Sequence, residues 1–181
     1  MKWGGWIGFV LIAVAAVIWS SRPSRIALPG TNLTISVPDG FEHNTHVYTH
    51  HPSLHFSLVT RSDGRTPGYP TLLIERIEET HGLLSPASFV TARTAAVGDS
   101  EILLGPISRT IAGEPAVELA YKSQIIADFV GGGSDRYEIV SHEIIFSHDK
   151  QLYRCELESI PSAHKRCVEF VRSLCESIRY E

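Results

Sequence analysis

The chain has 181 residues, 43% hydrophobic and 20% charged, with a formal net charge of −4. That composition is globular and excludes a disordered or low-complexity chain. The first acidic residue is Asp39, so beyond position 25 there are 20 acidic residues against 13 of the 16 basic ones. Such a surface repels phosphate backbones and anionic headgroups and excludes nucleic acid as a ligand of the body.

From Trp3 to Trp19 no side chain is charged, and Ser20 and Ser21 extend the run to Arg22. As a helix it reaches roughly 26–29 Å, enough to cross a bilayer core. Trp3, Trp6 and Trp19 are the only tryptophans, and two of them bracket the run, where indoles favour the membrane interface. Residues 1–21 therefore read as a transmembrane signal-anchor, and 22–30, with Arg22, Pro23, Arg25 and Pro29, as a stalk. A cleaved signal peptide is the alternative. Ala13-Val14-Ala15 resembles a cleavage site, although cutting there leaves an apolar new terminus. Lys2 and the terminal amine balance Arg22 and Arg25, so the positive-inside count is a tie. The signal-anchor form favours a single-pass protein whose body lies outside the cytoplasm, in the periplasm.

In the body, Leu33 to Val37 alternates and ends at Pro38-Asp39-Gly40, a strand and a turn. Residues 46–60 hold two extended stretches broken by Pro52, and 61–70 form a polar loop. Thr71 to Ile77 is an aliphatic strand. Ser85-Pro86 opens a helix that stops at Gly98, with hydroxyl cap and proline at the positions that tolerate them. Strands follow at 102–104, 107–111 and 116–121, with a turn at Gly113-Glu114-Pro115. Residues 128–135, with three consecutive glycines, make a loop or hairpin tip. Tyr137 to Phe146 and Gln151 to Glu158 pair across Ser147–Lys150. A last helix runs from about Ser162 to Ile178. Antiparallel-compatible strands with one inserted and one terminal helix predict an α+β fold, an antiparallel β-sheet flanked by helices and preceded by one transmembrane helix.

The order of these elements, with Val37-Pro38-Asp39-Gly40-Phe41, the helix from Ser85, Ile111-Ala112-Gly113-Glu114-Pro115-Ala116 and the closing Cys175-Glu176-Ser177-Ile178, resembles the Mog1/PsbP-like fold, including its DcrB-type bacterial domains. The resemblance covers residues 31–181. It implies a binding or assembly module and no enzyme. Photosystem II assembly subunits, a Ran-binding protein, lipoproteins and chaperones of secreted effectors share that fold. The matching phrases are turns and core strands, so no functional residue carries over.

Direct chemical signatures are absent: no nucleophile elbow, phosphate loop, H-E-x-x-H or C-x-x-C. Five of the nine histidines, His43, His46, His50, His51 and His55, fall within thirteen positions. Imidazoles two residues apart on a strand share a face and suit zinc, copper or nickel, which makes His46, His50 and His51 the candidate ligands. Against this, Pro52 breaks the geometry and Glu42 is the one nearby carboxylate, so incidental loop histidines are the simpler reading. No cofactor is expected.

The three cysteines are Cys155 on the apolar face of the last strand and Cys167 and Cys175 on the apolar face of the last helix. The helical pair is about 12 Å apart, beyond a disulfide. From Cys155 the strand climbs about 16 Å to its end, and the returning helix regains that level near position 173. Cys175 is thus the candidate partner of Cys155; three reduced core thiols are the alternative.

These readings converge on a membrane-anchored, non-enzymatic module that binds a protein partner, in an accessory, assembly or immunity-type role that includes bacterial secretion systems. The alternatives are a metal- or small-ligand-binding receptor using the His43–His55 segment, and a hydrolase with an unrecognised site.

Overall fold

The computed structural model describes residues 25–37, 41–43, 53–58, 70–78, 82, 85–96, 100–128 and 134–181. The apolar run at 1–21 lies outside the described residues. Among those described, no helix is long and apolar enough to cross a membrane.

Two tight turns organise the chain. Ala112 and Gly113 (φ 49° and 91°) join strands β6 (Glu101–Ile111) and β7 (Glu114–Asp128). Asp149 and Lys150 (φ 48° and 61°) join β8 (Ser134–His148) to β9 (Gln151–Ser159). Two consecutive positive φ angles define the type I′ turn, whose twist matches that of the strands it links. Together with β3 (Phe41–His43), β4 (Ser53–Leu58) and β5 (Thr71–Ile77), these strands form a seven-stranded sheet in the order β3-β4-β5-β9-β8-β7-β6. Every neighbouring pair is antiparallel. Helix α1 (Pro86–Ala96) carries the chain from β5 to the far edge, and the meander β6 to β9 returns it beside β5.

Helix α1 opens as its sequence demands: the Ser85 carbonyl accepts the Phe89 N–H at 3.0 Å and Pro86 takes the first helical position. Its Val90 packs with Val117, Leu119, Tyr121 and Ile145. Alternate residues of the same strands face the other way, where helix α2 (Pro161–Glu176) lays Cys167, Val171, Leu174 and Cys175 on Ile74, Ile144, Phe146 and Leu157. The sheet is thus covered on both faces at its centre.

A small sheet closes the α2 end of the larger core: β1 (Arg25–Ala27), β2 (Leu33–Ser36) and β10 (Arg179–Tyr180), in the order β1-β2-β10. Residues 25–27, assigned from sequence to the stalk, are therefore a strand of the domain. Arg25 donates to Thr34 O and to Ser177 O, both at 2.9 Å. The second bond sets a cation against the carbonyl end of α2, where the helix dipole favours it. Ser177 completes the joint, its Oγ accepting from the Ser36 N–H at 2.9 Å.

Two segments differ in extent from the sequence reading. The strands read at 102–104 and 107–111 are one strand, β6, whose register against β7 shifts between Ile102 and Leu104 and again between Leu104 and Ile107. Glycine and proline at 105 and 106 produce the apparent break, because bulges accommodate both. The β7–β8 hairpin extends to Asp128 paired with Ser134, beyond the boundary read from its glycine-rich tip.

Cys155 and Cys175, 20 positions apart in sequence, form a disulfide with Cα atoms 6.2 Å apart, and Cys167 is a buried free thiol. The bridge fastens the last turn of α2 to the centre of β9. Titration of the unfolded, unreduced protein should find one thiol per chain. Cys155→Ser/Cys175→Ser should lose roughly 3 kcal/mol in urea unfolding, the loop-closure value for this separation. Three titratable thiols would show that the bridge does not form.

Candidate functional site

Double coverage of the central strands forces charged residues into the interior, and they gather in two clusters on opposite faces. On the α2 face the centre is Glu118 of β7, whose side chain has no solvent exposure. Its Oε1 accepts from His142 Nε2 at 2.6 Å and from Arg172 Nε of α2 at 2.8 Å. Its Oε2 accepts from Arg109 Nε of β6 at 2.6 Å. Burial pushes the Glu118 carboxyl upward, but the bonds from His142, Arg172 and Arg109 outweigh it and hold the group below the usual carboxylate range. His142 is lowered by its own burial, against the pull of Glu118, so the imidazole is neutral and spends its Nε2–H on the carboxylate. The ring stacks on His164, centroids 5.3 Å apart, and burial lowers His164 as well.

On the α1 face the centre is Glu143 of β8, also without solvent exposure. Oε1 accepts from Arg93 of α1 at 2.6 Å, from the Tyr121 hydroxyl at 2.8 Å and from Arg154 at 3.3 Å. Burial and the nearby Glu143 charge raise the Tyr121 phenol to about 12. Arg154 of β9 also donates to Glu75 of β5 at 2.5 Å and lies 3.4 Å from Glu156. Glu156 stands directly opposite Glu143 across the β8–β9 ladder. Burial raises its carboxyl to about 7, Arg154 opposing and Glu143 and Glu158 adding to the rise. Glu158 is raised by burial too.

The third feature is the edge strand. Strand β6 pairs with β7 alone among the described residues. All of its residues are exposed except Leu104 and Ile111. Ile102, Leu103 and Ile107 are 45%, 44% and 40% exposed, three of the five large exposed hydrophobics among the described residues. Arg109, on the same strand, links this edge to Glu118.

The histidines singled out in the sequence separate. His43 and His55 lie on β3 and β4, with His43 paired to Phe56, the neighbour of His55. His46, His50 and His51 lie outside the described residues. Among those described, no three His, Cys, Asp or Glu residues cluster with metal-binding geometry. The sequence reading missed both carboxylate clusters. The available signal was a glutamate inside each of three apolar strands, Val117-Glu118-Leu119, Glu143-Ile144-Ile145 and Cys155-Glu156-Leu157.

No family model matches the sequence, and neither does any curated protein. Solved structures do match. The Ran-binding protein Mog1p of Saccharomyces cerevisiae aligns with a TM-score of 0.57 at 10% identity, over 88% of this chain and 95% of that one. Cyanobacterial PsbP (CyanoP) from Synechocystis aligns at 0.51 and 12%, over 87% and 92%. A Bacteroides thetaiotaomicron protein aligns at 0.52 and 10% over 88% of this chain, which spans only about half (48%) of its length. At such identities the likeness is one of fold: the described domain has the α+β Mog1/PsbP-like architecture, an antiparallel sheet with two helices.

The Glu156 carboxyl gives a test of the α1-face cluster. Folded, it keeps its proton up to about pH 7, whereas an unfolded glutamate ionises near 4.3. Stability therefore falls as pH rises through that window. Glu156→Gln removes the dependence. Its stability relative to wild type should grow by on the order of 2 kcal/mol from pH 5 to pH 8, measured by urea unfolding. His142 and His164 act in both proteins and cancel in the difference. Parallel pH profiles would show that Glu156 is ionised in the fold.

Proposed function

We propose that this chain is a membrane-tethered, non-enzymatic protein-binding module, with its domain outside the cytoplasm, that takes its partner along β6. The observation that carries the reading is the edge itself: an eleven-residue strand that pairs on one side only among the described residues, with Ile102, Leu103 and Ile107 open to solvent. An open edge offers main-chain donors and acceptors to an extended segment, and its apolar side chains supply the contact area. Mog1p, which shares the fold, is a Ran-binding protein, so protein recognition is compatible with this architecture. The apolar run at 3–21 and its bracketing tryptophans support the tether, which would raise the domain's effective concentration beside membrane partners. An accessory or immunity-type role in a bacterial secretion system belongs to the same reading by analogy with effector chaperones. Glu118 and Glu143 support no hydrolase, since Arg109 and Arg172 pair with the first and Arg93 and Arg154 with the second.

The metal-binding reading rests on the sequence pattern at 43–55 alone. Zinc titration by calorimetry decides it: no heat above dilution removes the reading.

The main proposal makes two joint predictions. The full-length protein should stay in the membrane pellet through carbonate extraction; release into the supernatant would refute the tether. In a crosslinking pull-down from native membranes, Ile102→Lys/Ile107→Lys should lose at least tenfold of the captured protein while keeping its circular dichroism spectrum. Undiminished capture would move the binding surface away from β6.

A further inference from the structure

We propose that the partner of the β6 edge is β6 of a second copy of this chain, paired antiparallel about a two-fold axis through Gly105. The inference rests on β6 being a protein-binding edge and names what binds there. Two identical antiparallel strands related by an axis normal to the sheet must pair one residue with itself, so few registers exist. Centring on Gly105 sets Glu101 opposite Arg109 of the second copy, Ile102 opposite Ser108 and Leu103 opposite Ile107. A centre at Leu104 instead sets Glu101 against Ile107, and one at Pro106 sets Leu103 against Arg109. Of these three, only the Gly105 register meets charge with opposite charge and apolar with apolar, the pairs that stabilise a ladder.

The faces agree as well for the pairs that β7 fixes on both sides of Gly105. Such an axis keeps each side chain on its own face of the sheet, so residues set opposite one another must already share a face. Glu101 pairs with Lys122 and Arg109 with Ala116, an even number of β7 residues apart, which puts both on the α2 face. Ile102 pairs with Tyr121 and Ser108 with Val117, both on the α1 face. The two bulges between these pairs cancel, leaving the strand in phase on either side of Gly105. Glu101 and Arg109 have side-chain exposures of 60% and 42% in their bonds to Lys122 and Glu118, and both groups have capacity for a second partner. A Cβ built at Gly105 meets nothing within 4 Å, so the point of closest approach is open. Confinement to a membrane would favour a short edge-to-edge contact by concentrating the two copies.

Cysteine crosslinking of the full chain in proteoliposomes reads the register. Under mild oxidation Gly105→Cys should yield a covalent dimer. Leu103→Cys and Ile107→Cys should each remain monomeric, and their equal mixture should crosslink at least tenfold more than either alone. Ile107→Lys, added to Gly105→Cys, should reduce the dimer band at least tenfold, with circular dichroism confirming the fold. A monomeric Gly105→Cys, or crosslinking of Leu103→Cys alone as strong as that of the mixture, would overturn the pairing. If the Gly105→Cys chain stays monomeric while Ile102→Lys/Ile107→Lys still loses a captured foreign protein, the second copy is refuted and β6 as a binding edge survives. If neither dimer nor capture depends on β6, both fail together.

Discussion

Strands β8 and β9 form the interior of the sheet, with α2 over both on one face and α1 over β8 on the other, and strands so placed bury nearly every side chain they carry. That constraint turns the glutamates of these strands and of β7 from surface charges into structural centres. A buried carboxylate without partners costs several kcal/mol. The chain meets the cost with guanidinium groups brought from α1, α2, β6 and β9. Each carboxylate then becomes a joint: Glu118 ties the edge strand and α2 to the sheet, and Glu143 ties α1 to β9. Arginine suits this work because its planar fork can reach one carboxylate and still serve a second, as Arg154 serves Glu75 and Glu143.

The two clusters differ in how completely their charges are met. On the α2 face one carboxylate receives two guanidinium groups and a neutral imidazole, so ionisation of Glu118 is favoured. On the α1 face Glu75, Glu143, Glu156 and Glu158 share Arg93 and Arg154, and the shortfall is resolved by a proton on Glu156. Opposite faces of one sheet thus answer acid differently. Below the usual histidine range His142 and His164 resist charging and weaken the fold, while the protonated Glu156 becomes less costly to bury.

Much of the fold was legible because it rests on local rules. An aliphatic run located β5, alternation located the β8–β9 hairpin, Ser85-Pro86 located α1, and strand and helix rise alone placed Cys155 level with Cys175. The remainder depends on tertiary context. Arg25 read as stalk because its partners, Thr34 and Ser177, lie 9 and 152 residues away. Strand β6 read as two strands because Gly105-Pro106 mimics a turn where the chain only bulges. The carboxylate clusters were missed because a glutamate in an alternating strand reads as a solvent face. Only the second helix over the sheet, which periodicity cannot reveal, turns it inward.

The joint between β1 and α2 carries a mechanical consequence. Three residues, 22–24, separate Arg25 from the apolar run, a leash of about 10 Å when extended. If that run is embedded in a bilayer, the small sheet is held close to the lipid. Tension on the anchor would then pass from β1 through the Arg25 bonds to Thr34 and Ser177 into the end of α2. There the load meets the Cys155–Cys175 bridge, a covalent strut running to the middle of β9. Strand β1 is thus braced against the strand at the sheet's centre, so a pull on it would be spread over the sheet before it could peel α2 away.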